Sequence, residues 1–184
     1  MKNNNSVFKM VATLVVIAVV SAGAMSYVNK ITAPIIAQQD EMRLQSSLKE
    51  VIDADNFSVL VEDEALTIYK ATKNGENAGY CVINLSAGYG GDLKIMTGID
   101  LTNTVTGVSI LSHGETAGLG ANATKDEFKN QYKGKKGEVK VSKTQSSDTE
   151  IKALSGATVT SDAVTKAVNN ALEEIGKINE GGDK

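Results

Sequence analysis

The chain has 184 residues, is 41% hydrophobic and carries a formal charge of −3 at neutral pH, enough for one domain with a sizeable core beside an apolar N-terminus. Its basic residues are scattered and its balance is acidic, which argues against a nucleic-acid or other polyanionic partner. A lone cysteine, Cys81, and a lone histidine, His113, exclude an internal disulfide, a four-thiolate iron–sulfur cluster and a bis-histidine haem within the chain, and no metal site is expected.

Met10 to Val28 contains no charge and, at about 1.5 Å per residue, would reach roughly 28 Å as a helix, close to the hydrocarbon thickness of a bilayer. Lys2 and Lys9 precede it while Lys30 follows, so the positive-inside bias favours a cytoplasmic N-terminus and an extracytoplasmic domain. Residues 1–31 are expected to be a cytoplasmic stub and a single-pass anchor in the cell membrane. A cleaved signal peptide is the alternative, because Ala22-Gly23-Ala24 is an acceptable cleavage site. Thr32-Ala33-Pro34 reads as the start of a second helix, with Pro34 in the first turn where its missing N–H costs nothing. An imperfect apolar stripe from Ile35 to Ile52 would rest this linking helix, 32–55, on the domain.

The domain proper is expected at 56–178. Phe57 to Val61, Leu66 to Ala71, Gly79 to Leu85, Lys94 to Leu101 and Val105 to Leu111 alternate or run apolar with β-branched residues and predict a mainly antiparallel sheet. Cys81 lies in one of these runs and reads as buried packing. Asp126 to Tyr132 predicts a short helix, and Thr144 to Thr149 a polar loop. Ser161 to Ile175 predicts a longer helix with Val164, Ala167, Val168, Ala171, Leu172 and Ile175 on its packed face. The fold class is α+β, and 179–184 is expected to be a disordered polar tail.

Three segments carry the chemistry. Ser155-Gly156-Ala157-Thr158 puts a hydroxyl on a small-residue loop at a helix start, where free backbone N–H groups and partial positive charge suit a phosphate. Thr160 or Ser161 would cap that helix, and Asp162 should point away from the anion. Ser112-His113-Gly114-Glu115-Thr116-Ala117-Gly118-Leu119-Gly120 gathers the histidine, an acid, a hydroxyl and several glycines that permit close approach to a flat ligand. Gly88-Tyr89-Gly90-Gly91 adds an aromatic among glycines. Taken singly, each segment is also an ordinary turn or helix start.

In this order, the three segments resemble the FMN-binding domain of the G subunit of the Rnf electron-transport complex and of its cousin, the C subunit of the sodium-pumping NADH:quinone reductase. The resemblance extends from the N-terminal membrane segment through Met96 to Asp100 and Gly107-Val108 to Val164. Ala117 departs from the family's usual proline and loosens that turn, and Asn103-Thr104 stands where a glycine turn is more usual.

The resemblance implies FMN attached covalently, by a phosphoester, to Thr158. The phosphate would be held by backbone around Gly156, Ala157 and Thr158, and the ring would meet Glu115, Thr116, Gly118 and Leu119, with Ser155, Thr160, His113 and Tyr89 also counted in the cofactor site. It further implies a separate flavin transferase that uses FAD and magnesium and releases AMP, and membrane and redox partner subunits. The chain would be an electron-transfer subunit of an ion-translocating ferredoxin:NAD oxidoreductase, with no substrate turnover alone. It contains no G-x-G-x-x-G between a strand and a helix, so nicotinamide binding would belong to a partner. Alternatives are the equivalent subunit of a sodium-pumping NADH:quinone reductase, a free-standing flavoprotein, and, more distantly, a cofactor-free extracytoplasmic binding module.

Overall fold

The structure, a computed structural model, describes residues 4–63 and 65–181. The chain divides into two compact units, residues 1–43 and 44–184.

The described part of the first unit lies within α1, a continuous helix Asn4–Val51 that supplies a span, Val7–Val51, long and apolar enough to cross a membrane. Its apolar side chains, including Leu14, Val19 and Met25, are exposed, as a lipid-facing segment requires. The helix start expected at Thr32 is not there: Pro34 lies inside α1. The Thr32 hydroxyl donates back to the Val28 carbonyl at 3.1 Å, the behaviour of a mid-helix threonine and not of a cap. An interior proline removes one backbone bond, and the helix-forming residues on both sides carry the helix past it. Ile35, Ile36 and Met42 are exposed, so the expected stripe narrows to Leu44, Leu48, Val51 and Ile52.

The second unit is a five-stranded antiparallel meander with strands in sequence order: β1 (Asn56–Glu62), β2 (Leu66–Lys73), β3 (Glu76–Ala87), β4 (Asp92–Ile99) and β5 (Val105–Ser112). All five predicted strands are present; β1, β2, β3 and β5 run slightly longer than expected, while β4 starts and ends two residues earlier, Asp100 and Leu101 falling in the turn. One sheet face packs against α3 (Thr158–Gly181) through Val82, Leu93 and Ile95 on the strands and Val164, Ala167 and Val168 on the helix. Asn84 Nδ2 donates to the Ala167 carbonyl at 2.8 Å and pins the helix to β3. The helix begins at Thr158 and runs to Gly181, longer at both ends than expected, so 179–181 is helical and the rest of the tail lies outside the described residues.

The opposite face is covered by the last turns of α1. Leu48, Val51 and Ile52 pack with Ala71, Cys81, Ile83 and Met96, so residues 44–55 belong to the folded unit and not to a linker. Gly98 permits this docking: a β-carbon there would lie 2.4 Å from the Val51 carbonyl oxygen. That same oxygen accepts a bond from Thr106 Oγ1 at 2.5 Å. Burial pushes the Cys81 thiol up to about 12, so it is an inert packing group.

Between β5 and α3 the chain forms a 3₁₀ turn at Gly120–Thr124, the short helix α2 (Asp126–Lys129) and a second 3₁₀ turn at Asn130–Tyr132. Two strands too short to show periodicity, β6 (Lys140–Ser142) and β7 (Glu150–Lys152), pair in parallel. The expected polar loop Thr144 to Thr149 joins them. In the β4–β5 turn, Asn103 takes φ +56°, supplying the left-handed conformation a glycine would otherwise provide. Asp100 Oδ1 closes that turn by accepting from the Thr102 and Thr104 amides at 2.8 and 3.0 Å.

Candidate functional site

The three segments singled out in the sequence converge. The β3–β4 turn brings Tyr89, the segment after β5 brings Glu115, Thr116, Leu119 and Gly120, and the start of α3 brings Gly156 to Thr160; together they line a cavity of about 540 Å³. Of the expected residues, Tyr89, Glu115, Thr116, Leu119, Gly156, Ala157, Thr158 and Thr160 line it. Ser155, Gly118 and His113 do not. Gly120, part of the glycine-rich segment, and Val159, which precedes the expected helix, also line it.

One end of the cavity is the N-terminus of α3. The amides of Thr158, Val159 and Thr160 lie in its first turn, where helical geometry leaves N–H groups without an intrahelical acceptor. Ser155-Gly156 forms the turn into it, with Gly156 at φ +74°. Neither hydroxyl expected to cap this helix does so. Ser161 Oγ accepts from the Leu154 amide at 2.9 Å and donates to the Ala157 carbonyl at 3.0 Å, bracing the loop from behind. Thr160 Oγ1 is turned instead toward Glu115. Ala157 and Thr160 are buried, while Ser155, Thr158 and Val159 are exposed, as is Asp162, which does not line the cavity. The mouth is apolar, with Tyr89 76%, Leu119 45% and Val159 51% exposed.

Glu115 sits at the centre of the polar wall and is only 9% exposed. Its Oε1 accepts from the amides of Tyr89 and Gly90 at 2.8 and 3.1 Å, and its Oε2 accepts from Thr160 Oγ1 at 2.6 Å. Burial opposes its ionisation, yet the bonds donated by Thr160, Gly90 and Tyr89 outweigh burial and hold the carboxyl below the ordinary carboxylate range. The glycines explain the fit. A β-carbon on Gly88 would lie 2.2 Å from Oε1, and one on Gly120 would lie 2.3 Å from Oε2. Three of the roughly four acceptor positions of a carboxylate are thus taken by the chain itself, which leaves little for a ring edge. His113 Nδ1 accepts from the Glu115 amide at 3.2 Å, so the histidine orders the loop from outside the cavity.

The cavity suits an elongated ligand with an anionic end and a flat apolar end. Its volume falls within the roughly 300–1,000 Å³ of small-molecule and cofactor pockets. The helix N-terminus would receive a phosphate, and the Tyr89, Leu119 and Val159 mouth a planar ring. FMN has both parts. Among the described residues no cluster of His, Cys, Asp and Glu could hold a metal ion.

Comparison with known sequences gives two family matches. Residues 88–173 match the FMN-binding domain family and residues 1–51 the RnfG N-terminal region. The G subunit of the proton-translocating ferredoxin:NAD(+) oxidoreductase complex of Clostridium ljungdahlii is 37% identical over 95% of this chain and 94% of its own length. The chain belongs to the G-subunit family of Rnf-type complexes. A second member, the G subunit of the Na(+)-translocating complex of Acetobacterium woodii, is 34% identical over 91% of this chain and 90% of its own. Among solved structures, the C subunit of the Na(+)-translocating NADH-quinone reductase from Parabacteroides distasonis superposes with a TM-score of 0.56 at 24% identity, covering 75% of this chain and 82% of that one. That likeness concerns the fold alone. Membership in the G-subunit family makes the chain part of a multi-subunit ion-translocating ferredoxin:NAD oxidoreductase and gives it an FMN-binding domain.

Proposed function

We propose that this protein is a covalent flavoprotein electron carrier, with FMN joined through its phosphate to Thr158 Oγ1. The observation that carries the reading is the placement of the exposed Thr158 hydroxyl in the first turn of α3, on the wall of the cavity. The other hydroxyls at this helix start are less suited: Thr160 and Ser161 are buried and hydrogen-bonded within the chain, and Ser155 does not line the cavity.

Attachment forms a bond from Thr158 Oγ1 to the flavin-side phosphorus of FAD while the pyrophosphate bridge breaks and AMP departs; the hydroxyl proton passes to a base on a separate transferase, with magnesium bound there. The described residues of this chain offer no metal site of their own for that chemistry. The first-turn amides of α3 would hold the phosphate. Thr116, Leu119, Val159 and Tyr89 would border the ring. When bound, the flavin supplies reversible uptake and release of electrons one at a time. The chain supplies retention, orientation and a site open to partner redox proteins of the complex.

The membrane helix would leave the N-terminus in the cytoplasm and the flavin domain outside, where a lost cofactor could not readily be replaced. The two G-subunit relatives belong to complexes that move different ions, one protons and the other sodium. Here the run from Met10 to Val28 has no charged residue, so ion movement would belong to other members of the complex.

The test is intact mass and in-gel fluorescence of the denatured protein, produced with and without a flavin transferase. The expected result is a gain of one FMN less one water in the co-expressed sample only, lost in Thr158→Ala while the domain stays folded. No adduct in any sample would favour a cofactor-free module.

A further inference from the structure

We propose that Glu115 is a positioning residue of the flavin site: its buried carboxylate fixes Thr160, and through it the first turn of α3 that carries Thr158, without itself binding the cofactor. This rests on the reading of Thr158 as the attachment point.

Glu115 is the one residue lining the cavity whose side chain bonds to both of the other segments. Two backbone amides of the β3–β4 turn converge on Oε1, so that turn cannot move without losing bonds to a charge. The 2.6 Å bond from Thr160 Oγ1 to Oε2 reaches α3 two residues beyond Thr158. At 3.6 residues per turn, residues two apart are held at a fixed rotation of about 200°, so fixing Thr160 fixes the azimuth at which the Thr158 side chain leaves the helix. Ser161 locks the same turn from the other side, through Leu154 and Ala157. Thr158 is therefore presented by a clamped turn although its own side chain is exposed. Both carboxylate oxygens are packed against the chain, since a β-carbon on Gly88 or Gly120 would collide with one of them, and their hydrogen bonds hold them there.

A misplaced reacting group can cost about a hundredfold in rate. Loss of the clamp should slow attachment at Thr158 by about ten- to a hundredfold and alter the environment of whatever flavin is attached. The experiment uses the full-length chain in detergent with purified transferase, FAD and magnesium. It compares the parent with Glu115→Gln, Thr160→Val, Thr160→Ser and the Glu115→Gln/Thr160→Val double variant, well below the melting temperature of each. The readouts are the initial rate of covalent incorporation and the visible circular dichroism of the loaded protein, which a general loss of stability would not reproduce.

The expected pattern is that Glu115→Gln and Thr160→Val are each slowed and share one altered visible spectrum, that the double variant is no slower than the slower single one, and that Thr160→Ser, which keeps the hydroxyl, restores rate and spectrum. Thr160→Val at the parent rate, or single effects that multiply in the double variant, would overturn the proposal and make Glu115 a direct contact of the flavin. Should Glu115→Gln fail to fold, Thr160→Val and Thr160→Ser decide by the same criteria. A parent chain that accepts no flavin at Thr158 would defeat the underlying reading, and the proposal with it; a parent that accepts flavin while Thr160→Val behaves identically would defeat the proposal alone.

Discussion

Gly120→Ala adds one methyl group between Glu115 and Thr160, where the site is crowded. The new β-carbon would lie 2.3 Å from Glu115 Oε2, 2.6 Å from Thr160 Oγ1 and 2.9 Å from Glu115 Cβ. The bond between those two side-chain oxygens is already 2.6 Å long, so neither can retreat toward the other, and the β-carbon of Glu115 belongs to the loop itself. Either the Thr160–Glu115 bond breaks, at about 1.5–3 kcal/mol for a hydrogen bond to a charge, or the loop shifts, at about 1–3 kcal/mol for overpacking. Gly120 does not have positive φ, so alanine is conformationally allowed and recovers about 0.4–1 kcal/mol through the unfolded chain. The balance is a loss of about 1–2 kcal/mol, or about 2–8 °C in Tm at roughly 2–4 °C per kcal/mol for a unit of this size. Covalent flavin incorporation should fall with it. Gly134→Ala is the control: its φ is +79° with open space around it, so it costs stability remote from the site and leaves incorporation unchanged. Tm and flavin content equal to the parent's in Gly120→Ala would refute the crowding of Glu115 by glycines.

Gly98→Ala should lift the end of α1 from the sheet, because its β-carbon meets the Val51 carbonyl that Thr106 also binds; limited trypsin digestion should then cut at Lys49 faster than in the parent, and equal rates would count against the docking role of Gly98. Acid should act through two carboxylates. Burial opposes ionisation of Asp100, as it does of Glu115, but hydrogen bonds from Thr102 and Thr104 outweigh it, so both groups are held below the ordinary carboxylate range. A depressed folded-state pKa contributes stability above the unfolded value, about 4, and loses it as pH falls through the folded value. Tm should therefore be flat from about pH 7 to 5 and drop below about pH 4, less steeply in Glu115→Gln; identical acid slopes would contradict the role of Glu115. In the β4–β5 turn, Asn103→Gly should hold Tm, since glycine adopts the left-handed conformation freely, while Asn103→Ala should lower it by about 2–4 °C for a cost of about 1 kcal/mol.

The meander was legible because each strand carries a run of apolar and β-branched residues bounded by turn residues, and the packed face of α3 because Val164 to Ile175 keeps helical spacing. β6 and β7 are invisible in sequence because three residues hold no period. Pro34 misleads because a proline two residues after a threonine resembles a helix start, whereas the bond from Thr32 back to Val28 belongs to the interior of a longer helix. At the site, composition is enough to mark the three segments, because glycines and hydroxyls crowd there. The destination of Glu115 is not legible: a carboxylate beside a ligand segment reads as a ligand contact, and only the fold turns it inward onto Tyr89, Gly90 and Thr160. The same fold gives Thr160 a partner other than its own helix, which no local capping rule anticipates.

The most direct measurement is tandem mass spectrometry of the tryptic peptide from Ala153 to Lys166 of the flavin-loaded protein. It contains five hydroxyl residues, Ser155, Thr158, Thr160, Ser161 and Thr165. Fragment ions should place FMN less one water on Thr158 alone, because it is the exposed hydroxyl in the first turn of α3 that lines the cavity. A fragment series that places the flavin on Ser155, Thr160 or any other residue, or an unmodified peptide from protein made with an active transferase, would contradict attachment at Thr158.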